Sequence, residues 1–396
     1  MDALLYATRA GPQLLFLPNL PSIVLPSLTL SFLAGLLPAT SLWSPQDPVP
    51  QISWFQGDFD QALKQAKRSK SWLVIHFWAE WSEWSQRQKD ESLNQPEVIQ
   101  ALQSMTLMDV EASSPHFAKL NEQFKPRTFP TLVFVRADGK ADEVVAGFMP
   151  AVDLVKEVER VRKGQNTLTF WEHKVQLEPQ DLEARYNLGN KKWDLGDDQG
   201  YFAELEAIRA ADPEGKTLTR RRIDLRELQE DVYGCRREGK ELHLEPLLEF
   251  LAEETYDELL WEGWRNLAGI YEGEELKAYD LCRQSHRRAW KFVPADKTDQ
   301  YALEVAWTYY NHADKGIKAS EKRFALKLAR DAVRKAGKQN NALVHSQGLY
   351  ILAHCQALNG QMKAALSTLQ EAVRLYPDDK FHQAALDAMK EAAEGA

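Results

Sequence analysis

The sequence predicts two folded parts: an α/β domain whose mixed sheet is covered by helices on both faces, and an all-α domain of helical repeats. Between residues 51 and 164, short apolar runs alternate with amphipathic segments, which is typical of alternating strands and helices. From residue 165 onward no strand pattern appears, and small residues and prolines recur at a regular interval. The chain has 396 residues, 44% apolar and 27% charged, which indicates a globular protein of two or three domains.

The elements of the first domain, residues 51–164, follow from hydrophobic periodicity. Helical spacing predicts helices over 58–70, 85–103, 117–124 and 151–162. Apolar runs predict strands over 72–77, 105–110, 131–135 and 143–147. Pro96 is expected to kink or break the second helix, because proline lacks the backbone N–H. Asp138-Gly139 is typical of a hairpin turn, so the last two strands are predicted to be antiparallel neighbours.

Residues 1–50 are a separate segment rich in leucine and proline, without a charged side chain between Arg9 and Asp47. Its longest clean apolar run, 27–37, is short for a membrane span and has the length of an export-signal core. Ala39 and Ser41 supply the small residues typical of a cleavage site. The segment therefore favours an export signal; an uncleaved membrane anchor and a transit segment or misassigned start are the alternatives.

Small residues in the second domain, residues 165–396, recur at the spacing of a helical repeat of about 34 residues. One unit is marked by Leu188, Gly189, Gly196 and Pro213. Another is marked by Leu352, Ala353, Gly360, Ala365, Ala372 and Pro377. A looser match covers 261–294. The pattern resembles tetratricopeptide repeats, which implies stacked helix pairs whose concave face binds a peptide or protein.

The stretch from His76 to Ser85 reads H-F-W-A-E-W-S-E-W-S and continues an apolar strand. It resembles the thioredoxin family, in which a Cys-x-x-Cys redox pair stands where this chain has Ser82 and Ser85. A second match is T-F-P-T, residues 128–131, since the family has a cis proline beside its redox pair and Pro130 falls there. The resemblance covers about residues 55–162 and implies the thioredoxin fold.

Both sulfurs of the family's redox pair are absent from this chain. Disulfide exchange needs a thiolate, and a serine hydroxyl can neither ionise readily nor form a mixed disulfide. The family's buried acid corresponds to His76, and Leu107 is expected where the family places a lysine. We therefore predict a redox-inactive site at Ser82, Ser85 and His76, with no catalytic residue and His76 as a core side chain.

Other chemistry at this site is not predicted. A hydrolase built from the two serines and His76 would need an orienting acid and an oxyanion hole, and the sequence has no G-x-S-x-G elbow. No metal site or other cofactor is predicted, because the nine histidines do not show ligand spacing such as H-x-x-x-H.

The three cysteines, Cys235, Cys282 and Cys355, are scattered through the helical half and do not suggest a disulfide framework. We expect them to be small buried apolar side chains. A reactive thiol, for example Cys355 beside His354, is the alternative.

Aromatic residues surround the serine pair and predict a shallow groove formed by Trp81, Trp84, Phe129 and Pro130. Aromatic side chains supply apolar contact area at low entropic cost, and the resemblance implies that this groove holds extended polypeptide. The alternative is a purely structural or docking role for the same side chains.

The order of the two domains resembles that of the bacterial chaperedoxins, which are cytoplasmic holdases. Trp81 and Trp84 also resemble the W-C-x-W-C form of thioredoxin-like domains in exported bacterial proteins. These resemblances imply a non-enzymatic, chaperone-like interaction protein. The alternative is a thiol-disulfide oxidoreductase or redox accessory that acts with a partner or through the remaining cysteines.

The expected partner is a protein or an extended polypeptide. A net charge of −9 without basic runs argues against nucleic acid. The N-terminal segment would provide any membrane attachment, and it favours an extracytoplasmic location, periplasmic or membrane-anchored, over the cytoplasmic alternative. The sequence predicts no particular oligomeric state.

Overall fold

A computed structural model of the chain describes residues 51–338, 342–377 and 379–394. Within these ranges the chain forms two compact units, 51–223 (the first unit) and 224–394 (the second unit). The predicted export or anchor segment, residues 1–50, lies outside the described residues. In the described ranges, none of the helices combines the length and the apolar character that crossing a membrane requires.

A four-stranded mixed sheet forms the centre of the first unit. Its strands are β1 (Leu73–Trp78), β2 (Thr106–Glu111), β3 (Thr131–Val135) and β4 (Ala141–Ala146). They lie in the order β2-β1-β3-β4; β1 is parallel to β2 and antiparallel to β3, which is antiparallel to β4. The central strand β1 is buried over almost its whole length, because helices cover both faces of the sheet.

Five helices flank the sheet: α1 (Phe59–Ser69), α2 (Glu83–Arg87), α3 (Pro96–Leu102), α4 (Phe117–Phe124) and α5 (Ala151–Arg162). Helices α3 and α5 pack on one face and α1 and α4 on the other, each with its own apolar core. The predicted mixed sheet with helices on both faces is therefore confirmed. Asp58 begins α1 with a capping box to Gln61, which satisfies backbone N–H groups at the start of the helix.

The helix predicted over 85–103 is interrupted. Helix α2 ends at Arg87, a π-helical turn follows at Gln88–Leu93, and α3 begins with Pro96 in its first turn. Proline is favoured there because the N–H it lacks has no partner within a helix. The predicted hairpin at Gly139 is confirmed, although β4 begins before its predicted start at residue 143.

The rest of the first unit is helical, with α6 (Leu168–Leu177), α7 (Leu182–Asp194) and α8 (Asp198–Ala211). The next helix, α9 (Leu218–Arg237), contains the boundary between the two units. The domain boundary that the sequence suggests, between residues 164 and 165, stays a prediction.

Strand β4 carries two buried acids that are paired with neighbouring helices. The carboxylate of Glu143 bonds to Arg160 of α5, at 2.7 Å, and to Lys191 of α7. Asp142 accepts a hydrogen bond of 2.9 Å from the backbone N–H of Thr169 in α6. A buried charge is tolerated only when it is paired, so these contacts fix α5, α6 and α7 against the edge of the sheet.

The second unit is all helical within its described residues. Its helices are α10 (Glu245–Glu253), α11 (Asp257–Glu272), α12 (Tyr279–Ala289), α13 (Thr298–Asn311), α14 (Ala319–Ala336), α15 (Ala342–Leu358), α16 (Met362–Leu375) and α17 (Lys380–Glu394). Sequential helices pack in pairs: α11 with α12, α13 with α14, and α15 with α16. Ala353, Ala365 and Ala372 are buried between α15 and α16. The region is consistent with an all-α repeat domain.

Candidate functional site

The two serines lie where β1 gives way to α2. Ser82 is the N-cap of α2, and its Oγ accepts a hydrogen bond of 3.3 Å from the Ser85 N–H. The Ser82 hydroxyl also donates to the carbonyl of Phe129, at 3.4 Å. Ser85 is fully buried, and its Oγ accepts from the N–H of Ala79 at 3.3 Å. Backbone hydrogen bonds thus engage both hydroxyls.

The segment facing Ser82 contains the predicted proline. The Phe129–Pro130 peptide bond is cis, and the Pro130 carbonyl accepts a hydrogen bond of 2.8 Å from Gly147. The N–H of Phe129, by contrast, has no hydrogen-bond partner among the described residues. The structure therefore presents an unpaired backbone donor directly beside the Ser82 turn.

Of the four predicted groove residues, Pro130 is buried, and the three aromatic residues divide into two groups. The Trp81 side chain is 78% exposed, and its ring meets that of Phe129 edge-on, with centroids 5.9 Å apart. Trp84 is 37% exposed, because Phe148 covers part of it at a centroid distance of 5.9 Å. The guanidinium of Arg87 lies 5.0 Å from the Trp84 ring centroid. We refer to Trp81, Phe129, Trp84 and Phe148 as the aromatic surface.

Phe148 was missing from the groove that the sequence predicts, although the topology signals it. Strands β3 and β4 are antiparallel, and Thr131 pairs with Ala146. The residues just after β4 must then lie beside the residues just before β3, which are Phe129 and Pro130. An aromatic side chain at position 148 therefore belongs at the same end of the sheet.

His76 lies in β1 beneath this end and pairs with an acid. Its Nδ1 is 2.8 Å from Asp109 Oδ1, and the register of β1 and β2 sets the two residues side by side. Whether Leu107 replaces the family's lysine stays a prediction; Leu107 pairs with Val74 and belongs to the apolar core. Asp109 lies two residues further along β2, on the same face of the strand as Leu107.

Burial lowers the pKa of His76 below its ordinary value, although hydrogen bonding to Asp109 acts in the opposite direction. His76 is therefore neutral near pH 7. The indole of Trp54 stacks on its ring at 5.7 Å, and Trp78 donates a 3.0 Å hydrogen bond to Asp109. Within the described part of the chain, His76 makes no hydrogen bond to either serine.

The three cysteines are free thiols. Cys282 and Cys355 are fully buried, as expected from their helical patterning, whereas Cys235 is half-buried. Burial raises the pKa of the Cys355 thiol to about 12 and raises that of Cys282 as well. Cys355 donates to the Ala306 carbonyl at 3.7 Å. Both buried thiols are thus protonated near pH 7, which makes them poor nucleophiles.

Comparison with known proteins agrees with this geometry. Residues 59–162 match the family described as the thioredoxin-like domain. They form a thioredoxin-like domain. This domain is related to DsbD and to glutaredoxin.

Two curated relatives illustrate the relationship. The thiol:disulfide interchange protein DsbD of Neisseria meningitidis is 30% identical over 105 residues, which are 26% of this chain and 17% of the relative. Glutaredoxin-3 of Bos taurus is 28% identical over 104 residues, 26% of this chain and 28% of the relative. The chain thus spans less than a third of the length of either protein.

Two solved structures are also similar. A thioredoxin from Thermus thermophilus is 22% identical with a TM-score of 0.26, covering 28% of this chain and 88% of the other. The oxidised C-terminal domain of Neisseria meningitidis DsbD is 27% identical with a TM-score of 0.23, covering 26% of this chain and 90% of the other.

Proposed function

We propose that the thioredoxin-like domain holds an extended polypeptide at the aromatic surface and does not reduce disulfides. The protein is then a non-enzymatic, chaperone-like interaction protein, and its helical repeats act as a scaffold. The observation that carries the proposal is the exposed ring of Trp81 on Phe129, next to an N–H of Phe129 that lacks a partner among the described residues.

An extended chain has the groups that this surface lacks. A backbone carbonyl of such a chain would accept a hydrogen bond from the Phe129 N–H, as in peptide recognition by addition of a strand. Apolar side chains of the same peptide would contact Trp81 and Phe129, and others would reach the Trp84–Phe148 pair. Aromatic residues suit such recognition because their rings offer apolar area together with polar edges.

The absence of thiols at the family's redox positions supports binding without redox turnover. At the family's redox positions this chain has Ser82 and Ser85, and disulfide exchange requires a thiolate at that point. The Ser82 hydroxyl instead donates to the Phe129 carbonyl, which ties the helix start to the peptide-binding segment. Cys282 and Cys355 are buried and protonated and so provide no substitute nucleophile.

A second candidate function is that of a thiol-disulfide oxidoreductase accessory. Its support is the relationship to a protein named thiol:disulfide interchange protein and to a glutaredoxin. It predicts that the protein reduces insulin faster than a dithiothreitol blank, whereas the binding proposal predicts no difference from the blank.

The proposal includes a location outside the cytoplasm and a protein or polypeptide partner. The location rests on the apolar run 27–37 and the small residues Ala39 and Ser41. The partner rests on the aromatic surface, and a chain of net charge −9 is not proposed to bind nucleic acid.

The test is binding of a permanently unfolded polypeptide, reduced and carboxymethylated α-lactalbumin carrying a fluorescent label, followed by anisotropy. The double variant Trp81→Ala, Phe129→Ala should weaken binding at least about tenfold, because buried aromatic anchors commonly contribute more than about 1.4 kcal/mol each. Binding by the double variant at the strength of the parent would overturn the proposal.

The matched control is Phe202→Ala in α8, which removes a phenyl ring that is 55% exposed in the same compact unit. This variant should bind within about twofold of the parent, since exposed aromatics outside an anchor site contribute little. An equal loss of affinity in Phe202→Ala and in the double variant would indicate non-specific hydrophobic binding and would contradict a defined site.

A further inference from the structure

Three helix ends in the second unit bring together one carboxylate, one thiol and one imidazole. Glu272 is the last residue of α11, Cys282 lies in α12, and His312 directly follows α13. One potential ligand atom from each side chain lies within 4.8 Å of the other two. This trio, which we call the Cys282 cluster, lies outside the thioredoxin-like domain.

The cluster contains buried polar atoms without partners. Cys282 is 0% exposed, and its Sγ makes no hydrogen bond to any described residue. His312 is buried as well; its Nε2 lies 3.0 Å from Glu272 Oε1, while its Nδ1 lacks a partner in the described ranges. Most buried polar groups are hydrogen-bonded, so such an arrangement calls for an explanation.

We propose that Glu272, Cys282 and His312 bind a divalent metal ion of tetrahedral preference, with Zn²⁺ as the best match. Zinc takes thiolate sulfur, imidazole nitrogen and carboxylate oxygen as ligands. Calcium and magnesium prefer oxygen ligands throughout, so a site with sulfur and nitrogen disfavours them.

Charge balance supports the assignment. With a thiolate at Cys282, a carboxylate at Glu272 and a neutral imidazole at His312, a divalent cation forms a complex without net charge. A neutral complex suits a site in which two of the three side chains are buried. The thiol is protonated before binding, so each metal ion that binds releases one proton.

The Glu272 side chain is 42% exposed, so a water molecule on that side would take the fourth position of a tetrahedral zinc ion. The bound ion would join the ends of α11, α12 and α13.

Sequence reasoning missed this cluster because its ligands come from three helices. The prediction of no metal site rested on the absence of short ligand spacings. Cys282 is one turn beyond the start of α12 and His312 follows α13, so only the packing of the helices brings them together.

Cobalt provides the direct test, because Co²⁺ replaces Zn²⁺ in tetrahedral sites and absorbs light. The full chain, free of any affinity tag and treated with a chelator, is titrated with Co²⁺. A thiolate-to-cobalt charge-transfer band should appear, saturate at a single equivalent and disappear when Zn²⁺ is added. Absence of the band in the parent protein would overturn the proposal.

Two serine variants separate this site from chance binding. Cys282→Ser should lose the charge-transfer band, whereas Cys355→Ser should keep it, because Cys355 bonds to the Ala306 carbonyl and is not in the cluster. A band that persists in Cys282→Ser, or that is lost in Cys355→Ser, would contradict the assignment.

A third variant guards against a folding defect in the first. Glu272→Gln changes the most exposed of the three side chains, so the fold should survive, while Co²⁺ affinity should fall at least about tenfold. In a thermal melt, Zn²⁺ should stabilise the parent more than Glu272→Gln. Equal Co²⁺ affinity in the two proteins would refute the role of Glu272 as a ligand.

Discussion

The Ser82–Ser85 turn and the Cys282 cluster differ in how they treat their polar groups. At the turn, backbone hydrogen bonds engage both hydroxyls, and the neighbouring Trp81 is exposed to solvent. In the cluster, the Cys282 thiol is sealed from solvent and lacks a hydrogen bond to any described residue. Solvent thus reaches the turn, which has no thiol, whereas the thiol of the cluster is shielded from solvent.

This difference teaches that residue type and surroundings must be considered together. At the turn, hydrogen-bonded hydroxyls stand at the positions where the thioredoxin family carries its redox pair. An unpaired buried polar group calls for an explanation, and at the Cys282 cluster we propose a bound metal ion.

The first prediction restores sulfur to the accessible site. In Ser82→Cys, Ser85→Cys, the rate constant for insulin disulfide reduction should rise at least about a thousandfold over the parent, because a thiol at a helix N-terminus ionises and attacks disulfides. The turbidity of reduced insulin, with dithiothreitol as electron donor, measures this rate.

The matched control is Ser82→Cys alone, which should form mixed disulfides but release them slowly for want of a second thiol. If the double variant stays at the dithiothreitol blank with both thiols titratable, the surroundings of the turn, and not only its serines, prevent redox chemistry.

The second prediction compares the accessibility of the three thiols. In the native protein with chelator present, Cys282 and Cys355 should react with iodoacetamide at least about a hundredfold more slowly than the half-buried Cys235, because labelling requires local opening. Peptide mass spectrometry over a time course measures each rate. Comparable rates for all three thiols would show that the second unit opens readily.

The third prediction concerns a buried histidine in the second unit. Burial lowers the pKa of His354 to about 4 from its ordinary 6.5, and neither ring nitrogen has a partner among the described residues. As the pH falls below about 6.5, His354 becomes protonated in the unfolded state but stays neutral in the folded state. The free energy of unfolding therefore decreases. By this linkage His354 should cost about 2 kcal/mol between pH 7 and pH 5.

Urea unfolding at both pH values tests this in His354→Phe, which should remove about 2 kcal/mol of the pH dependence. The matched control, His173→Phe, replaces an exposed histidine and should leave the dependence as in the parent. A parent-like dependence in His354→Phe would mean that other groups control the acid sensitivity.

The thioredoxin-like domain was largely predictable because its signals are local. A continuous apolar run gave β1, and the Asp138-Gly139 turn gave the β3–β4 hairpin. The pairing of His76 with Asp109 was missed because strand register depends on packing across the sheet, which no short segment encodes. The contact of Trp84 with Phe148 was missed for the same reason, since it joins a helix to the far end of a hairpin.

The buried acids of β4 have a consequence for how this sheet meets other chains. An exposed edge strand can pair with a strand of another chain, which promotes aggregation. Here β4 lies under α6 and α7 through Asp142 and Glu143, and Phe55 bonds to the Leu107 carbonyl along the opposite edge. Side-chain contacts thus cover the β4 edge, and a backbone hydrogen bond engages part of the β2 edge, so neither edge offers its full length to the strand of another chain.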